Sequence, residues 1–194
     1  MHVYQNEEDL TGSFKSHTIE SMGSIRADTV STLNTEDFTL YQASLPRVFG
    51  LFFNQNQANV FLHKEVREAL DISAPKENIT QTALLGFGSP IESPVPHFAG
   101  GLGEVVGTDT EKAKEILETH GWKIGEDGIR AKKSEKLSFS ISTSDAPELK
   151  KTAEILKAAW LEIGVEVDIK VFESGDLNQN VIRPRTVSYT HLTL

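Results

Sequence analysis

The chain has 194 residues, a length that suits one domain or two small ones. Its 28 acidic and 19 basic residues give a formal net charge of −9, which argues against a nucleic-acid-binding surface, because Lys and Arg make the phosphate contacts. The chain has no cysteine, which excludes disulfides, thiolate nucleophiles and thiolate metal sites. A globular protein that does not bind nucleic acid is expected.

The first two predicted elements are a helix and a strand. Asn6 is placed to cap a short helix that carries Leu10 and Phe14 on one face. Residues 47–53 (RVFGLFF) are almost wholly apolar, which predicts a short strand buried on both faces.

The next stretch predicts a pair of helices followed by a long loop. Apolar residues recur at helical spacing from Leu62 to Leu70, and Pro75 stands where a second helix would begin. Residues 86–107 are too rich in Gly and Pro for regular structure, so we expect one long ordered loop there. Thr108 and Glu111 have the spacing of a capping box, which predicts the start of a third helix that ends at Gly121.

The clearest pattern lies between residues 137 and 171. Residues 137–141 alternate between apolar residues and serine, residues 149–163 carry apolar side chains every three or four positions, and residues 165–171 alternate again. A strand, a helix and a strand joined by short connections predict two parallel strands with a crossover helix. The fold class is therefore expected to be α/β.

Sequence motifs for catalysis and for cofactors are missing. The glycines of residues 101–107 lack the spacing of a dinucleotide-binding loop. No two of the six histidines are four residues apart, and no Gly-x-Ser-x-Gly elbow is present. We therefore expect a protein that is not an enzyme and that carries no metal and no cofactor.

The order of the sequence segments resembles the family 5 extracytoplasmic solute-binding proteins of ABC importers, which include oligopeptide, dipeptide and nickel-type receptors. Each segment is a weak signal, but all occur in the family's order over about residues 1–175. The segments are Leu51-Phe52-Phe53-Asn54, Glu65-Val66-Arg67-Glu68-Ala69-Leu70-Asp71, Gly88-Ser89-Pro90 with Pro94-Val95-Pro96, Glu111-Lys112-Ala113-Lys114 with Leu117 and Gly121-Trp122, Leu137-Ser138-Phe139, and Ala153-Glu154-Ile155-Leu156 with Trp160 and Ile163-Gly164-Val165.

The resemblance implies part of a two-lobed periplasmic binding protein fold of type II, in which two α/β lobes joined by a hinge close over a ligand. Residues 1–47 are expected to be the end of the first lobe and the approach to the hinge. Residues 48–185 are expected to be the N-terminal part of the large second lobe, with a mixed sheet and flanking helices.

The last nine residues, 186–194, differ in composition from the sequence before them. They carry no acidic or basic side chain, and Val187 to Leu194 back-translate to a sequence that looks like a transposon-end adapter. We therefore expect a non-native tail on a fragment of a longer protein, in which case the missing signal peptide says nothing about location. The alternative is a genuine edge strand, since Val, Tyr and Thr favour strands.

Five residues are candidates for ligand contact. Thr143, Ser144 and Asp145 are expected at the carboxyl end of a strand, where ligands of α/β proteins usually bind. Asn54, near the expected lobe junction, and His97, in the long loop, come next. In dipeptide-type members an Arg shortly before the crossover helix pairs with the ligand carboxylate, and Thr143 takes its place here. For Asp145 the alternative role is a plain helix N-cap.

The resemblance implies a non-catalytic receptor that captures peptides or similar small solutes and delivers them to the permease subunits of an ABC importer. It would be periplasmic or held at the cell surface, and a monomer is expected. Two alternatives stay open at the level of sequence: a stand-alone cytoplasmic α/β enzyme or regulatory domain, and a chaperone-like peptide binder.

Overall fold

The computed structural model describes residues 2–23, 25–33, 37–43, 48–91 and 107–173, together with the backbone of residues 190–193. The chain divides into two compact units, Met1–Leu45 and Pro46–Leu194. That division lies close to the expected boundary at residue 47, while the assignment of the two units to lobes stays a prediction.

The described residues of the first unit form two helices, α1 (Glu7–Lys15) and α2 (Ala27–Ser31). The predicted cap is confirmed, because the Asn6 side chain accepts a hydrogen bond of 2.8 Å from the backbone N–H of Asp9. The rings of Phe14 and Phe38 pack edge to face, with their centroids 5.8 Å apart.

In the part of the second unit that the structure describes, four α-helices flank a four-stranded mixed sheet. Its elements in chain order are β1 (Gly50–Phe52), a 3₁₀ helix (Asn59–Leu62), α3 (Lys64–Ile72), α4 (Lys76–Thr82), α5 (Thr110–Thr119), β2 (Lys123–Ile124), β3 (Arg130–Lys132), β4 (Glu135–Lys136), β5 (Ser138–Ser144), α6 (Pro147–Glu162), β6 (Glu166–Phe172) and β7 (Thr190–Thr193). The strand order in the main sheet is β1-β7-β5-β6, and β2, β3 and β4 form a small antiparallel sheet.

The predicted strand, helix and strand are confirmed as β5, α6 and β6. The two strands pair in parallel, in a register that joins Ser138 to Glu166 and Ser144 to Phe172. Helix α6 covers one face of the pair, because the ring of its Trp160 lies 5.7 Å from the ring of Phe139. The indole N–H of Trp160 also donates a 3.0 Å hydrogen bond to the carbonyl of Leu70, which ties α6 to α3.

The apolar residues of these elements form one core in the second unit. Phe61 is fully buried, and its ring lies 4.9 Å from that of Phe53 and 4.8 Å from that of Phe139. The other large side chains buried to 98% or more are Trp122, Trp160, Leu70, Leu117, Leu137, Ile141, Ile163, Val66, Val165 and Thr143.

Two details of the sequence prediction are wrong. The apolar run 47–53 is not buried on both faces: Phe49, Leu51 and Phe53 pack on the core, whereas alternation turns Phe52 outward and leaves it 54% exposed. Helix α5 is capped by Asp109, whose carboxylate accepts from the backbone N–H of Lys112, and the neighbouring Thr108 hydroxyl donates instead to the Ala74 carbonyl.

The C-terminal tail contributes a strand to the main sheet. β7 pairs antiparallel with β1 and parallel with β5, so it lies inside the sheet and the edge position considered for it is wrong. Strand pairing joins main-chain N–H and C=O groups, so a segment of almost any sequence can form it. The adapter origin of residues 186–194 stays a prediction.

Candidate functional site

Three of the candidate residues lie where β5 ends. Because β5 and β6 are parallel, their carboxyl ends meet at one edge of the sheet, and Thr143 and Ser144 pair there with Val171 and Phe172. Thr143 is fully buried and Ser144 is nearly so, while Asp145 is exposed. Of the three, Asp145 is therefore the side chain that a dissolved ligand reaches directly.

Helix α6 begins at the same edge without a side-chain cap. Its N-cap residue is Ala146, so the N-cap role considered for Asp145 is wrong. The Ser144 hydroxyl accepts a long hydrogen bond of 3.4 Å from the Ala146 N–H.

The start of a helix carries the positive end of the helix dipole, which attracts anionic groups. Pro147, the first residue of α6, has no N–H, and the N–H groups of Leu149 and Lys150 both donate to the Ala146 carbonyl. This end of the sheet therefore combines the positive end of the helix dipole with the exposed Asp145 carboxylate.

Two hydroxyl groups near this edge are buried without a partner. The Oγ of Ser142 and the Oγ1 of Thr143 have no hydrogen-bond partner in the described part of the chain. They occupy opposite faces of β5, because successive strand residues alternate. A buried hydroxyl with no partner lowers the stability of the fold. Packing of the core therefore does not explain why Ser142 and Thr143 carry hydroxyl groups.

Asn54 lies at the other end of the same sheet. Strand β1 is antiparallel to β7, which is parallel to β5, and the register aligns Phe52 with His191 and His191 with Ser142. The chain that leaves β1 toward Asn54 is therefore level with the first half of β5. At about 3.3 Å per residue, the four-residue step from Ser140 to Ser144 spans about 13 Å. The structure thus separates Asn54 from Thr143, Ser144 and Asp145.

Asn54 has a local structural role and also lines a groove. Its side-chain oxygen accepts a 3.1 Å hydrogen bond from the backbone N–H of Asn56, and its carbonyl accepts from the N–H groups of Gln57 and Ala58. These bonds form the turn after β1. The groove has a volume of about 310 Å³ and lies between this turn and residues 135–140. His97 lies outside the described residues.

A cluster of charged and aromatic side chains joins the start of α3 to the small sheet, and sequence reasoning missed it. The His63 ring nitrogens lie 3.4 Å from carboxylate oxygens of Glu65 and of Glu135. The Lys132 ammonium donates to Glu65 at 3.1 Å and lies 5.7 Å from the ring centroid of Trp122. Contacts between residues so far apart in sequence leave no local signal in the pattern.

The environment of Glu65 changes its pKa. Burial acts to raise the pKa, but hydrogen bonds with the backbone and with Lys132 outweigh burial and hold the pKa of Glu65 below its ordinary value. Glu65 therefore stabilises the fold above about pH 4.5, the ordinary pKa of glutamate, and this contribution is lost as the pH falls through the lowered pKa of the folded state.

We expect Glu65→Gln to lower the free energy of unfolding by about 1 kcal/mol at pH 7, because the charged hydrogen bond to Lys132 becomes neutral. The difference from the unmodified chain should shrink as the pH is lowered below 4.5. Urea titrations at several pH values measure this difference in the free energy of unfolding. Glu115→Gln, on the exposed side of α5, is the control for loss of one charge. A difference that does not change with pH would contradict the role of the carboxylate.

The described residues hold no helix long and apolar enough to cross a membrane. Nor do those residues contain a group of three His, Asp or Glu side chains arranged to hold a metal ion.

Comparison with known proteins gives one family. The family described as "Bacterial extracellular solute-binding proteins, family 5 Middle" matches residues 1–186. A curated relative, "Heme-binding protein A" of Haemophilus influenzae, is 26% identical over 127 residues, which cover 64% of this chain and 22% of the relative.

Solved structures share the fold. The oligopeptide-binding protein AppA of Bacillus subtilis, in complex with a nonapeptide, is 24% identical with a TM-score of 0.65, over 75% of this chain and 30% of that one. An ABC transporter substrate-binding protein of Sinorhizobium meliloti is 17% identical with a TM-score of 0.79, over 98% of this chain and 39% of that one.

This chain therefore spans well under half the length of each of these proteins. The α/β prediction is confirmed, and the fold matches part of a two-lobed type II binding protein. With the family match running over nearly the whole chain, the predicted resemblance is confirmed: the chain belongs to the bacterial extracellular solute-binding proteins of family 5.

Proposed function

We propose that this chain is part of the substrate-binding component of an ABC importer, which captures peptides or similar small solutes outside the cytoplasm and delivers them to a membrane permease. The observation that carries the proposal is the family match over residues 1–186. The related proteins named above are solute-binding proteins rather than enzymes, which supports a receptor without turnover. A periplasmic or surface location in the whole protein follows from the same proposal.

The carboxyl end of β5 is the proposed solute contact in this chain. It offers the exposed Asp145 carboxylate beside the uncapped start of α6. A carboxylate favours an ammonium group and the positive end of the helix dipole favours a carboxylate, so the edge suits a ligand that carries both charges, as a free peptide does. Thr143 and Ser144 would hold this edge in place from inside the fold rather than contact the ligand, because both side chains are buried. His97 stays a candidate from sequence alone.

Peptide is favoured over other solutes by this charge arrangement and by the nonapeptide complex of AppA. The name of the Haemophilus influenzae relative makes haem the competing solute.

Disrupting the coding sequence in its source bacterium tests the function. We expect the disrupted strain to lose uptake of a labelled tripeptide and to keep uptake of the corresponding free amino acids. Restoring the gene should restore uptake, which is the control for effects on neighbouring genes. Loss of haem uptake with normal peptide uptake would replace the solute and keep the transporter function. Normal uptake of both would contradict the proposal.

A further inference from the structure

His63 lies between two carboxylates that belong to different elements. Its Nδ1 is 3.4 Å from an oxygen of Glu65, at the start of α3, and its Nε2 is 3.4 Å from an oxygen of Glu135, in β4. The ring stands edge to face on the fully buried Trp122, with the two centroids 5.3 Å apart. The two ring nitrogens therefore face different carboxylates, and the imidazole bridges α3 and the small sheet.

The charged groups around this ring leave one carboxylate without a cation. The Lys132 ammonium, from β3, donates to Glu65 at 3.1 Å and offsets the charge of that carboxylate. Within the described part of the chain, His63 is the one basic side chain within 4 Å of the Glu135 carboxylate. The neighbouring Lys136 is paired with two other carboxylates, at 2.8 and 3.3 Å. The cluster thus carries one net negative charge while the imidazole is neutral, and protonation of the ring removes it.

The imidazole needs a proton on each nitrogen to bond both carboxylates. A neutral ring carries one N–H, so its other nitrogen presents a lone pair to a carboxylate oxygen, and that contact is repulsive. The protonated ring donates from both nitrogens, and a charged donor facing a carboxylate makes a stronger hydrogen bond than a neutral one. The side chains of His63 and Glu135 are 33% and 35% exposed, so protons from the solvent reach the ring.

We propose that His63 is a pH-dependent link between the start of α3 and β4, complete when the imidazole is protonated and broken on one side when it is neutral. Histidine changes charge between about pH 5 and pH 8, a range in which glutamate is ionised. The pKa of Glu65 is held below its ordinary value, so this partner stays charged throughout. Because the unfolded chain has no such arrangement, the link stabilises the fold at the acidic end of this range, and its contribution is lost as the pH rises.

The test is urea unfolding of the 194-residue chain and of His63→Gln at pH 6 and at pH 8, followed by tryptophan fluorescence. Gln keeps an uncharged donor but cannot take up a proton. We expect the substitution to raise the unfolding equilibrium constant about threefold more at pH 6 than at pH 8, because a charged hydrogen bond is lost only at pH 6. In a Glu135→Gln background most of this pH dependence should disappear, since the carboxylate that needs the second proton is gone.

His120→Gln is the matched control. It removes an exposed imidazole of the same unit, whose Nδ1 faces the Ile116 carbonyl at 2.8 Å rather than a carboxylate. Its effect should change by less than about twofold between the two pH values, because an exposed imidazolium at a helix C-terminus is only weakly stabilised.

Should His63→Gln not fold, amide hydrogen exchange of the unmodified chain serves in its place. After correction for intrinsic exchange rates, the backbone amides of residues 131–136 should gain about threefold in protection at pH 6 over pH 8, relative to those of β6.

Equal pH dependence in the His63 and His120 variants, or none in the His63 variant, would overturn the proposal. So would an unchanged effect of His63→Gln in the Glu135→Gln background, or hydrogen exchange in residues 131–136 that follows β6 at both pH values. A location outside the cytoplasm would expose this link to the pH of the surroundings. That consequence alone rests on the proposed function, which peptide uptake tests independently.

Discussion

Replacing Arg130 with Met is expected to lower the free energy of unfolding by about 3–5 kcal/mol. Arg130 is 5% exposed, and its guanidinium holds three parts of the second unit together. The Nε donates to the Ile163 carbonyl at 2.9 Å, and the Nη1 donates to the Trp122 carbonyl at 2.6 Å and to Glu118 at 2.7 Å. Met fills similar space but leaves both carbonyl groups without these donors.

The two orphaned carbonyls account for most of the expected loss, because each unsatisfied buried group costs about 1–3 kcal/mol. The ion pair with Glu118 contributes little, since that side chain is 57% exposed and well solvated. Arg130→Lys should therefore recover little stability, because one ammonium cannot reach two carbonyls in the geometry of a planar guanidinium.

Chemical unfolding followed by tryptophan fluorescence measures this effect, with Trp122 and Trp160 buried in the core as reporters. Lys112→Met on the exposed face of α5 is the matched control, because it removes one positive charge in the same exchange for Met. We expect the control to change stability by less than about 0.5 kcal/mol. Similar losses in the two variants would show that charge, rather than the buried hydrogen bonds, is responsible.

Gly164→Ala is expected to cost about 2–4 kcal/mol, from backbone strain and from crowding together. Gly164 has a φ of +81°, which L residues rarely adopt. A Cβ at this position would lie 2.7 Å from the Cδ1 of Ile124 and 2.8 Å from the Cγ of Arg130. Ile124 is half exposed and can move aside, but Arg130 is held by its hydrogen bonds.

Gly121→Ala separates the two contributions. Gly121 has a similar φ of +86°, but a Cβ there would meet nothing within 4 Å. The free energy of unfolding of Gly121→Ala should fall by only about 1–2 kcal/mol, which is the cost of placing an L residue in the left-handed conformation. The difference between the two variants in a thermal or urea transition measures the crowding around Arg130. Equal losses at Gly121 and Gly164 would mean that Arg130 moves and that the close approach has no energetic weight.

The local patterns succeeded where one segment forms one element. The alternation and the helical spacing between residues 137 and 171 predicted β5, α6 and β6, because each has seven or more residues and a regular apolar face. The small sheet of β2, β3 and β4 was missed, since strands of two or three residues carry no periodicity. The cap of α5 was misplaced by one residue, because Thr108 and Asp109 are both good capping residues.

Sequence alone determined the α/β class, the parallel strand pair and the family resemblance, because these depend on short-range periodicity and on the order of segments along the chain. It also placed Thr143, Ser144 and Asp145 at the carboxyl end of a strand. The tertiary structure decided which residues meet. It separated Asn54 from those three and brought Lys132 to Glu65, 67 residues away, and Trp160 to Leu70, 90 residues away.

Arg130 shows why contacts between distant residues could not be predicted from the sequence. In the sequence it is one basic residue in a polar stretch, and exposure is the default for a charged side chain. Its burial follows from two carbonyl groups, Trp122 and Ile163, which need donors only after α5, α6 and the small sheet have packed together. Local preference selects the elements, but the demand to satisfy buried polar groups arises only when the elements pack.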